Sequence, residues 1–401
     1  MKKLISILLV ILCIVLSLPV YATEYAALDI SIVDNACSGL NAGSSYDPET
    51  RTLILSEGEY GKITCDNDLT IKTSGTAYVY EINADKNFGS STLKIENAVI
   101  KPRADKVGSR IICDGDIEIT KSTVEVDYFI GTNDGGISID TSTVTAIGID
   151  KTQGYLFASG NISIRKSTVS SDYNINTYGS MVIEDSNVIL PSKYSNGGYI
   201  TAPYGILIKN SNLDVFYYIS CDSGDFRAVN SKIEISLKRD DNKRRSNIEV
   251  GLGNIIIAEC DIAVDAYIKS NLGNIKISDT TIDTGSIVSW QGTVTLNKVQ
   301  GNINGAASIN SPSKTGIFGK KIELIKTELP EAHKIGNVVL GETQYETITL
   351  ENGEMTYGFK LFATKDFPVL LVIILSAAAV IIAVVVIIVV VKKKKKQKVD
   401  E

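Results

Sequence analysis

Histidine is almost absent from this sequence, since His333 is the one histidine among 401 residues. Histidine is the commonest metal ligand and the most frequent general base in enzymes. A single copy excludes a metal site built from several imidazoles, and it argues against a catalytic triad that depends on histidine. Tryptophan is as scarce, with one residue, so eighteen tyrosines and nine phenylalanines supply nearly all the aromatic surface.

Cysteine is also scarce, and its spacing gives no disulfide framework. Six cysteines occur, of which Cys13 lies in an apolar run near the N-terminus. The other five are Cys37, Cys65, Cys113, Cys221 and Cys260. An odd and widely spaced set does not indicate a small disulfide-rich domain. Cys37 and Cys65 could close a loop near the N-terminus, and the other three are expected to be small buried hydrophobic residues.

Long apolar runs are confined to the two ends of the chain. At the N-terminus, Lys2 and Lys3 precede the apolar run 4–16, and the segment that follows it has small or medium residues at Val20 and Ala22. A charged start, a short apolar run and a small-residue cleavage site are typical of a secretory signal peptide. We therefore expect residues 1–22 to be removed after Ala22, with an uncleaved signal anchor as the alternative.

The C-terminal run predicts a transmembrane helix over residues 368–391. About 20 apolar residues span the hydrocarbon core of a bilayer. The polybasic tail 392–401 begins with five lysines, and lysine clusters stay on the cytoplasmic side. The sequence thus predicts a single-pass type I protein of the cell membrane, with residues 23–367 outside the cell.

The predicted external part is acidic. Leaving out the eight lysines and two acidic residues of the two ends reduces the 40 basic and 46 acidic residues to 32 and 44, a net charge near −12. Such a charge disfavours nucleic acid and other anionic polymers as partners.

The middle of the chain repeats one phrase. Each copy consists, in order, of glycine, a polar residue, Ile-x-Ile, two polar residues, Ser or Thr, one further residue and then Val or Ile. The clearest copies are GDIEITKSTV at 115–124, GGISIDTSTV at 135–144 and GNISIRKSTV at 160–169. Further copies start at 179, 204, 224, 253 and 273, and a worn one starts at 292, so successive copies begin 19 to 29 residues apart. A fixed phrase at this period indicates a repeat architecture.

Each copy contains two short stretches of alternating apolar residues, which predict two short strands. One such unit cannot bury its apolar face alone, whereas stacked units can. We therefore predict an all-β fold, a right-handed parallel β-helix (β-solenoid) over residues 67–304. Residues 23–66 are predicted to be an N-terminal cap, and residues 305–367 a C-terminal cap with a membrane-proximal segment. The alternative, an array of β-sandwiches, does not explain why the phrase recurs in one order.

Two columns follow from stacking the copies. Ile139, Ile164 and Ile208 are expected to be buried equivalents in different coils. A serine column, with Cys260 and Thr280 continuing it, consists of Ser122, Ser142, Ser167, Ser186, Ser211 and Ser231. A hydroxyl at a corner can bond to the backbone of its own turn, so we interpret this column as structural rather than catalytic.

The segment from Tyr46 to Leu55 resembles the lead-in to β-helix repeats in many bacterial cell-surface proteins. The repeated phrase is similar to that of surface proteins described as carbohydrate-binding-domain-containing, which belong with the pectate-lyase-like β-helix superfamily. This resemblance covers residues 46–305, and it implies a β-helix that faces glycans outside the cell. It names no particular glycan.

Catalytic candidates are few. Glycoside hydrolysis needs two facing carboxylates, and Asp240 with Asp241 is the one adjacent Asp pair in the solenoid, within a mixed-charge insertion that also fits a solvated loop. The Gly-His-Gly element that accompanies such a pair in polygalacturonases is missing. Lyases of this fold use Ca²⁺, and candidate ligands at turns are Asp114, Asp116, Asp134 and Asp222. Turns favour Asp for local reasons as well, so no metal or other cofactor is predicted.

Tyrosines are the stronger binding candidates, and they form two sets. Tyr128, Tyr173 and Tyr217 share parity with inward residues, which predicts an interior aromatic stack. Insertions in repeat proteins map to loops that often bind, and one insertion carries Tyr194, Tyr199 and Tyr204. The predicted binding residues are these three with Tyr178 and Tyr218 from neighbouring coils, ordinary packing under a loop being the alternative.

Three functions are consistent with these observations. The first is a cell-surface protein that binds carbohydrate or acts as an adhesin, without catalysis. The second is a polysaccharide lyase or glycoside hydrolase, and the third is a structural surface spacer. Paired carboxylates in a groove would indicate the enzyme, an aromatic patch without them the binding protein, and a uniformly polar outer face the spacer.

Overall fold

The computed structural model describes residues 27–85, 90–149, 153–191, 197–235, 246–303, 316–329, 333–335, 338–340, 343–351 and 354–358. The predicted signal peptide, transmembrane helix and polybasic tail lie outside these residues, as do Tyr194 and the Asp240–Asp241 pair. The regular structure of the described residues is β-strand throughout. Within these ranges no helix has the length and apolar character needed to cross a bilayer.

Parallel pairing between successive turns of the chain organises the fold. Ile117–Thr120, for example, pairs in parallel with Leu93–Glu96 before it and with Ile137–Asp140 after it. Each coil passes through three sheets, which we name A, B and C, and then returns to sheet A one coil further on. This arrangement confirms an all-β parallel solenoid, and it is not an array of sandwiches.

The strands of the three sheets are as follows. Sheet A contains Thr52–Leu55, Leu69–Thr73, Leu93–Glu96, Ile117–Thr120, Ile137–Asp140, Ile162–Arg165, Met181–Glu184, Ile206–Lys209, Phe226–Val229, Ile255–Ala258, Ile275–Ser278, Thr293–Asn297 and Lys321–Leu329. Sheet B contains Val99–Lys101, Thr123–Val126, Thr143–Ala146, Thr168–Ser171, Asn187–Leu190, Asn212–Val215, Lys232–Ile235 and Gln300–Asn302. Sheet C contains Leu28–Val33, Arg110–Cys113, Phe129–Thr132, Tyr155–Ala158, Asn174–Thr177, Tyr199–Thr201, Tyr218–Cys221, Asn247–Val250, Gly316–Phe318 and His333–Ile335. Four longer strands bend from sheet B into sheet C, and these are Gly58–Cys65, Thr76–Ala84, Asp261–Ser270 and Thr281–Ser289.

Three strands per coil correct the prediction of two. The strand of sheet C follows the second predicted strand after a corner, as Phe129–Thr132 follows Thr123–Val126. It lies outside the repeated phrase and its sequence varies from coil to coil, which is why the phrase did not reveal it. Its inward residues, such as Ile130 and Ile219, are fully buried.

The core consists of in-register columns of aliphatic side chains. Ile139 pairs with Ile164, Ile164 with Ile183, and Ile183 with Ile208, and all four are fully buried. The prediction that Ile139, Ile164 and Ile208 are equivalent is therefore confirmed. Burying an isoleucine side chain is worth about 1.5–3 kcal/mol, so the columns are the main stabilising feature of the solenoid.

The corner between sheets A and B explains the serine column. Each serine hydroxyl donates to the carbonyl two residues earlier, as Ser142 Oγ does to the Asp140 oxygen at 2.7 Å. The same oxygen accepts the amide of the equivalent serine one coil before, as Ser142 Oγ does from the Ser122 nitrogen at 3.1 Å. The preceding residue lies in the left-handed region, with φ 51° at Thr141. The column is thus structural, as predicted.

The corner between sheets C and A explains the glycine that opens the phrase. A Cβ at Gly135 would stand 2.2 Å from the carbonyl carbon of Gly115, and one at Gly273 would stand 2.0 Å from the Gly253 oxygen. No side chain fits at such distances, because the backbone of one coil rests directly on the next. Glycine is required here because the backbones of adjacent coils approach too closely for a side chain.

Antiparallel strands terminate the stack at both ends. Ala36–Ser38 pairs with Leu28–Val33, and Ser45–Asp47 pairs with Thr52–Leu55. At the other end, Thr343–Glu351 pairs with Lys321–Leu329, and smaller antiparallel partners are Val338–Leu340 and Glu354–Gly358. Parallel stacking already begins with Leu28–Val33, which pairs in parallel with Gly58–Cys65, within the segment predicted as the N-terminal cap. Both ends thus cover sheet edges that would otherwise be open.

The five described cysteines are free. Cys37 and Cys65 pair with Ile32 from opposite sides, so one strand separates them. Two strand spacings amount to about 9.6 Å, whereas disulfide-linked Cα atoms lie within about 7 Å. The loop closure considered for these two residues is therefore ruled out, and Cys113, Cys221 and Cys260 are buried as predicted.

Candidate functional site: an aromatic face on sheet C

The outer side of sheet C carries a row of aromatic side chains. In the strands from Phe129–Thr132 to Asn247–Val250 the second residue is buried, so the first residue points outward. Parallel pairing places these first residues in one line, which we call the ring row: Phe129, Tyr155, Asn174, Tyr199, Tyr218, Asn247 and Tyr267. Residues 19 to 29 positions apart in sequence are thus direct neighbours.

Two pairs of rings in the row are stacked. The ring centroids of Phe129 and Tyr155 are 5.1 Å apart with an interplanar angle of 7°. Those of Tyr199 and Tyr218 are 4.9 Å apart with an angle of 10°. These separations match the spacing of about 4.8 Å between paired strands, so the coil repeat itself creates the stacks.

The second set of tyrosines supports these stacks from the side. Tyr128 meets Phe129 edge to face at 4.8 Å, and Tyr217 meets Tyr218 at 4.7 Å. Tyr173 lies 5.8 Å from Tyr199. All three side chains are half-buried. The prediction that Tyr128, Tyr173 and Tyr217 form an interior stack was therefore wrong.

The error has a local cause at the corner between sheets B and C. Ser171 and Asp172 are consecutive and both are buried, so the inward–outward alternation is interrupted there and resumes only at Ile175, which is inward on the same parity as Ser171. Asp172 accepts the amides of Gly148 and Gly154 at 3.1 and 2.7 Å, which holds the corner in this form. Counting alternate residues from the preceding strand therefore places Tyr173 in the core, although its side chain is half-buried on the outside.

Two other predicted binding residues occupy the corner between sheets C and A. Tyr178 and Tyr204 are 60% and 68% exposed. The amide of Tyr204 donates to the Gly179 oxygen at 3.3 Å, so the two tyrosines lie on neighbouring coils. Tyr178 also meets Phe157, on the outer side of sheet C, edge to face at 5.2 Å. The corner therefore continues the aromatic face.

The structure thus groups the predicted binding residues into two places. Tyr199 and Tyr218 are stacked in the ring row, and Tyr178 and Tyr204 stand exposed at the adjacent corner. Sequence reasoning missed Phe129, Tyr155 and Tyr267. Their signal is an aromatic residue directly before an aliphatic one at the start of the third strand, as in Tyr155-Leu156.

The phenols of the stacked Tyr199 and Tyr218 stay protonated at physiological pH. Burial, followed by the nearby phenols of Tyr199 and Tyr217, raises the pKa of Tyr218 to about 12. Burial likewise raises the pKa of Tyr199, although the hydrogen bond from Asn174 opposes the increase. The stacked rings therefore present uncharged apolar surface with hydroxyl tips.

The acidic turn residues do not assemble a metal site in the described part of the chain. No group of three His, Cys, Asp or Glu side chains there is placed to hold a metal ion. Asp114 accepts the Asn133 amide at 3.0 Å, and Asp116 accepts the Gly136 nitrogen at 2.7 Å. These bonds join neighbouring turns, which is the structural role that Asp commonly has there.

Comparison of the chain with protein-family models finds no match, and comparisons with curated proteins and with solved structures find none either. What the chain does must therefore be argued from its own geometry. The aromatic face is the most distinctive surface for that purpose, because it combines stacked rings, exposed rings and little charge.

Proposed function

We propose that this chain is a membrane-anchored protein of the cell surface, built as a right-handed parallel β-helix, that binds carbohydrate through the aromatic face. The observation that carries the proposal is that the exposed ring of Tyr178 contacts Phe157 on the outer side of sheet C, the side that carries the stacked rings, while Tyr204 stands exposed on the neighbouring coil. Rigid aromatic rings with polar tips suit the apolar faces and hydroxyl groups of sugars. The family resemblance of the repeats points the same way.

The net charge of the chain favours a neutral glycan as the ligand. The part of the chain proposed to lie outside the cell has a net charge near −12 after the end segments are left out of the totals. Such a charge repels polyanionic polymers. The phenols are uncharged, so stacking on them needs no counter-charge from the ligand. The same surface would serve attachment to the glycans of another cell, as an adhesin.

A glycan array tests this function with the full chain kept in a detergent that contains no sugar. The double variant Tyr178→Ala/Tyr204→Ala removes the two most exposed rings, so its stability should stay unchanged. We expect apparent affinity for the bound glycans to fall at least tenfold, or about 1.4 kcal/mol.

Tyr78→Ala is the matched control, because Tyr78 is 38% exposed on an early coil away from the corner. It should bind as the unmodified chain does. Equal binding by the double variant would contradict the proposed surface. Absence of binding to every glycan would contradict the proposed function and favour a spacer.

A further inference from the structure

The ring row is interrupted in a regular way. Two rings are followed by an asparagine and then by two more rings and a second asparagine, since Phe129 and Tyr155 precede Asn174, and Tyr199 and Tyr218 precede Asn247. A stacked ring exposes its edge outward and shares its faces with its neighbours. A ring face is therefore accessible next to each asparagine and at the two ends of the row, where Phe129 pairs with Arg110 and Tyr267 with Ser286.

The second interruption opens into a cleft. Tyr218 and Tyr267 stand on the two sides of Asn247 in the same row. The cleft between them has a volume of about 650 Å³, and Ser220 and Glu249 also line it. Two coil spacings separate the two tyrosines, which is about 10 Å. Carbon contacts need about 3.5–4.0 Å on each side, so the gap holds one ring layer.

We propose that this cleft binds one pyranose ring of a neutral glycan, inserted between Tyr218 and Tyr267 with Asn247 as the floor. The proposal rests on the proposed function and gives it a subsite and a ligand class. A flat aromatic ring between two phenols needs about 7–8 Å by the same contact distances. A puckered chair is thicker, and it fills a gap of about 10 Å more closely.

The floor and walls offer fixed hydrogen-bonding groups. Asn247 is 7% exposed, and its Nδ2 lies 3.4 Å from Glu249 Oε2. Glu249 is held in place because it accepts the Lys269 ammonium at 2.7 Å and the Tyr267 hydroxyl at 3.3 Å. A site whose polar groups are positioned in advance loses little entropy when a ligand binds.

The charges in the cleft select against acidic sugars. Glu249 is paired with Lys269, which leaves the exposed Asp222 at the rim as a further negative charge. A uronic acid would bring a third carboxylate into this space, where the nearby ammonium of Lys269 is already paired with Glu249. A neutral pyranose brings hydroxyl groups only, which Asn247 and Ser220 can meet as donors and acceptors.

At the first interruption of the ring row, the asparagine is Asn174, and it bonds to the next ring of the row. Asn174 Nδ2 donates to the Tyr199 hydroxyl at 2.7 Å, so the ring on its far side bonds directly to the asparagine. The equivalent ring at the second interruption, Tyr267, bonds to Glu249 instead.

Saturation-transfer NMR on the full chain, in a detergent without sugar, tests the proposal with methyl glycosides of glucose, galactose and mannose. Methyl glucuronide is the acidic comparison. We expect at least one neutral glycoside to receive saturation, with the signal reduced at least tenfold in Tyr267→Ala and in Asn247→Ala. Tyr267→Phe keeps the ring and should retain binding, whereas Tyr78→Ala, on an early coil away from the cleft, should behave as the unmodified chain.

Two results would overturn the inference, and they are separable from failure of the proposed function. If the chain binds glycans on the array and Tyr267→Ala binds them equally, the cleft is not the subsite while the surface function stands. If methyl glucuronide binds more tightly than every neutral glycoside, the ligand class is wrong. If neither polymer nor glycoside binds, both proposals fail. Tyr267→Ala remains informative if Asn247→Ala does not fold, because Tyr267 is less buried than Asn247.

Discussion

At the scale of single residues, the serine ladder shows how one hydroxyl satisfies two coils at once. Ser167 Oγ donates to the Arg165 oxygen and accepts the Ser142 amide at 3.1 Å. Its side chain is buried, so water cannot replace either bond. Each serine thus couples the corner of its own coil to the coil before it.

Replacing Ser167 by alanine should therefore leave the buried Ser142 amide without a partner. An unsatisfied buried donor costs about 1–3 kcal/mol, and we expect the free energy of unfolding to fall by this amount. Urea unfolding followed by circular dichroism measures the change. Ser163→Ala, on the outer side of sheet A, is the control and should change stability little. Equal midpoints for both variants would contradict the role given to the ladder.

At the scale of the strand, the alternation of side chains makes register decisive. Ile164 is fully buried between Ile139 and Ile183, whereas Ser163 beside it faces outward. One position along a strand therefore separates the core from solvent. A shift by one residue would reverse the two faces of the whole strand.

Ile164→Asp should be severely destabilising for that reason. A buried carboxylate without a partner is among the few changes that cost more than about 4 kcal/mol. Ser163→Asp places the same charge one residue away on the outer face, and it should change stability by less than about 0.5 kcal/mol. The measurement is the thermal unfolding midpoint of each variant. Similar midpoints for the two variants would mean that the register is wrong.

At the scale of the whole molecule, stacking fixes length and direction. The thirteen strands of sheet A at about 4.8 Å per coil give a stack about 60 Å long. The antiparallel strands at its two ends close the sheet edges that would otherwise recruit another chain. The aromatic face therefore runs along the stack, where an extended glycan could follow it.

The proposed membrane topology makes its own prediction at this scale. Protease added to intact cells should digest residues 23–367 and leave the tail 392–401 protected, because the lysine-rich tail is expected inside. Antibodies against the tail follow the fragment. Permeabilised cells are the control, in which the tail should disappear. Loss of the tail from intact cells would refute the topology.

Much of the fold could be predicted because the repeated phrase records local requirements. Glycine marks where backbones touch, serine marks the corner, and alternating isoleucines mark the inward face; each follows from sterics or burial within one or two coils. The sequence therefore determined the parallel solenoid and its core columns. The third strand escaped this reasoning because its residues carry no repeated phrase.

The site depended on tertiary structure to a greater degree. The corner at Ser171 and Asp172 interrupts the alternation, so the side on which Tyr173 lies could not be counted along the chain. Tyr218, Asn247 and Tyr267 are 29 and 20 residues apart, and only the pairing between coils brings them into one row. The sequence by itself determined that tyrosines would be plentiful on a rigid solenoid. The tertiary structure decided which of them stack, which are exposed and where a cleft opens, because these properties arise from contacts between coils.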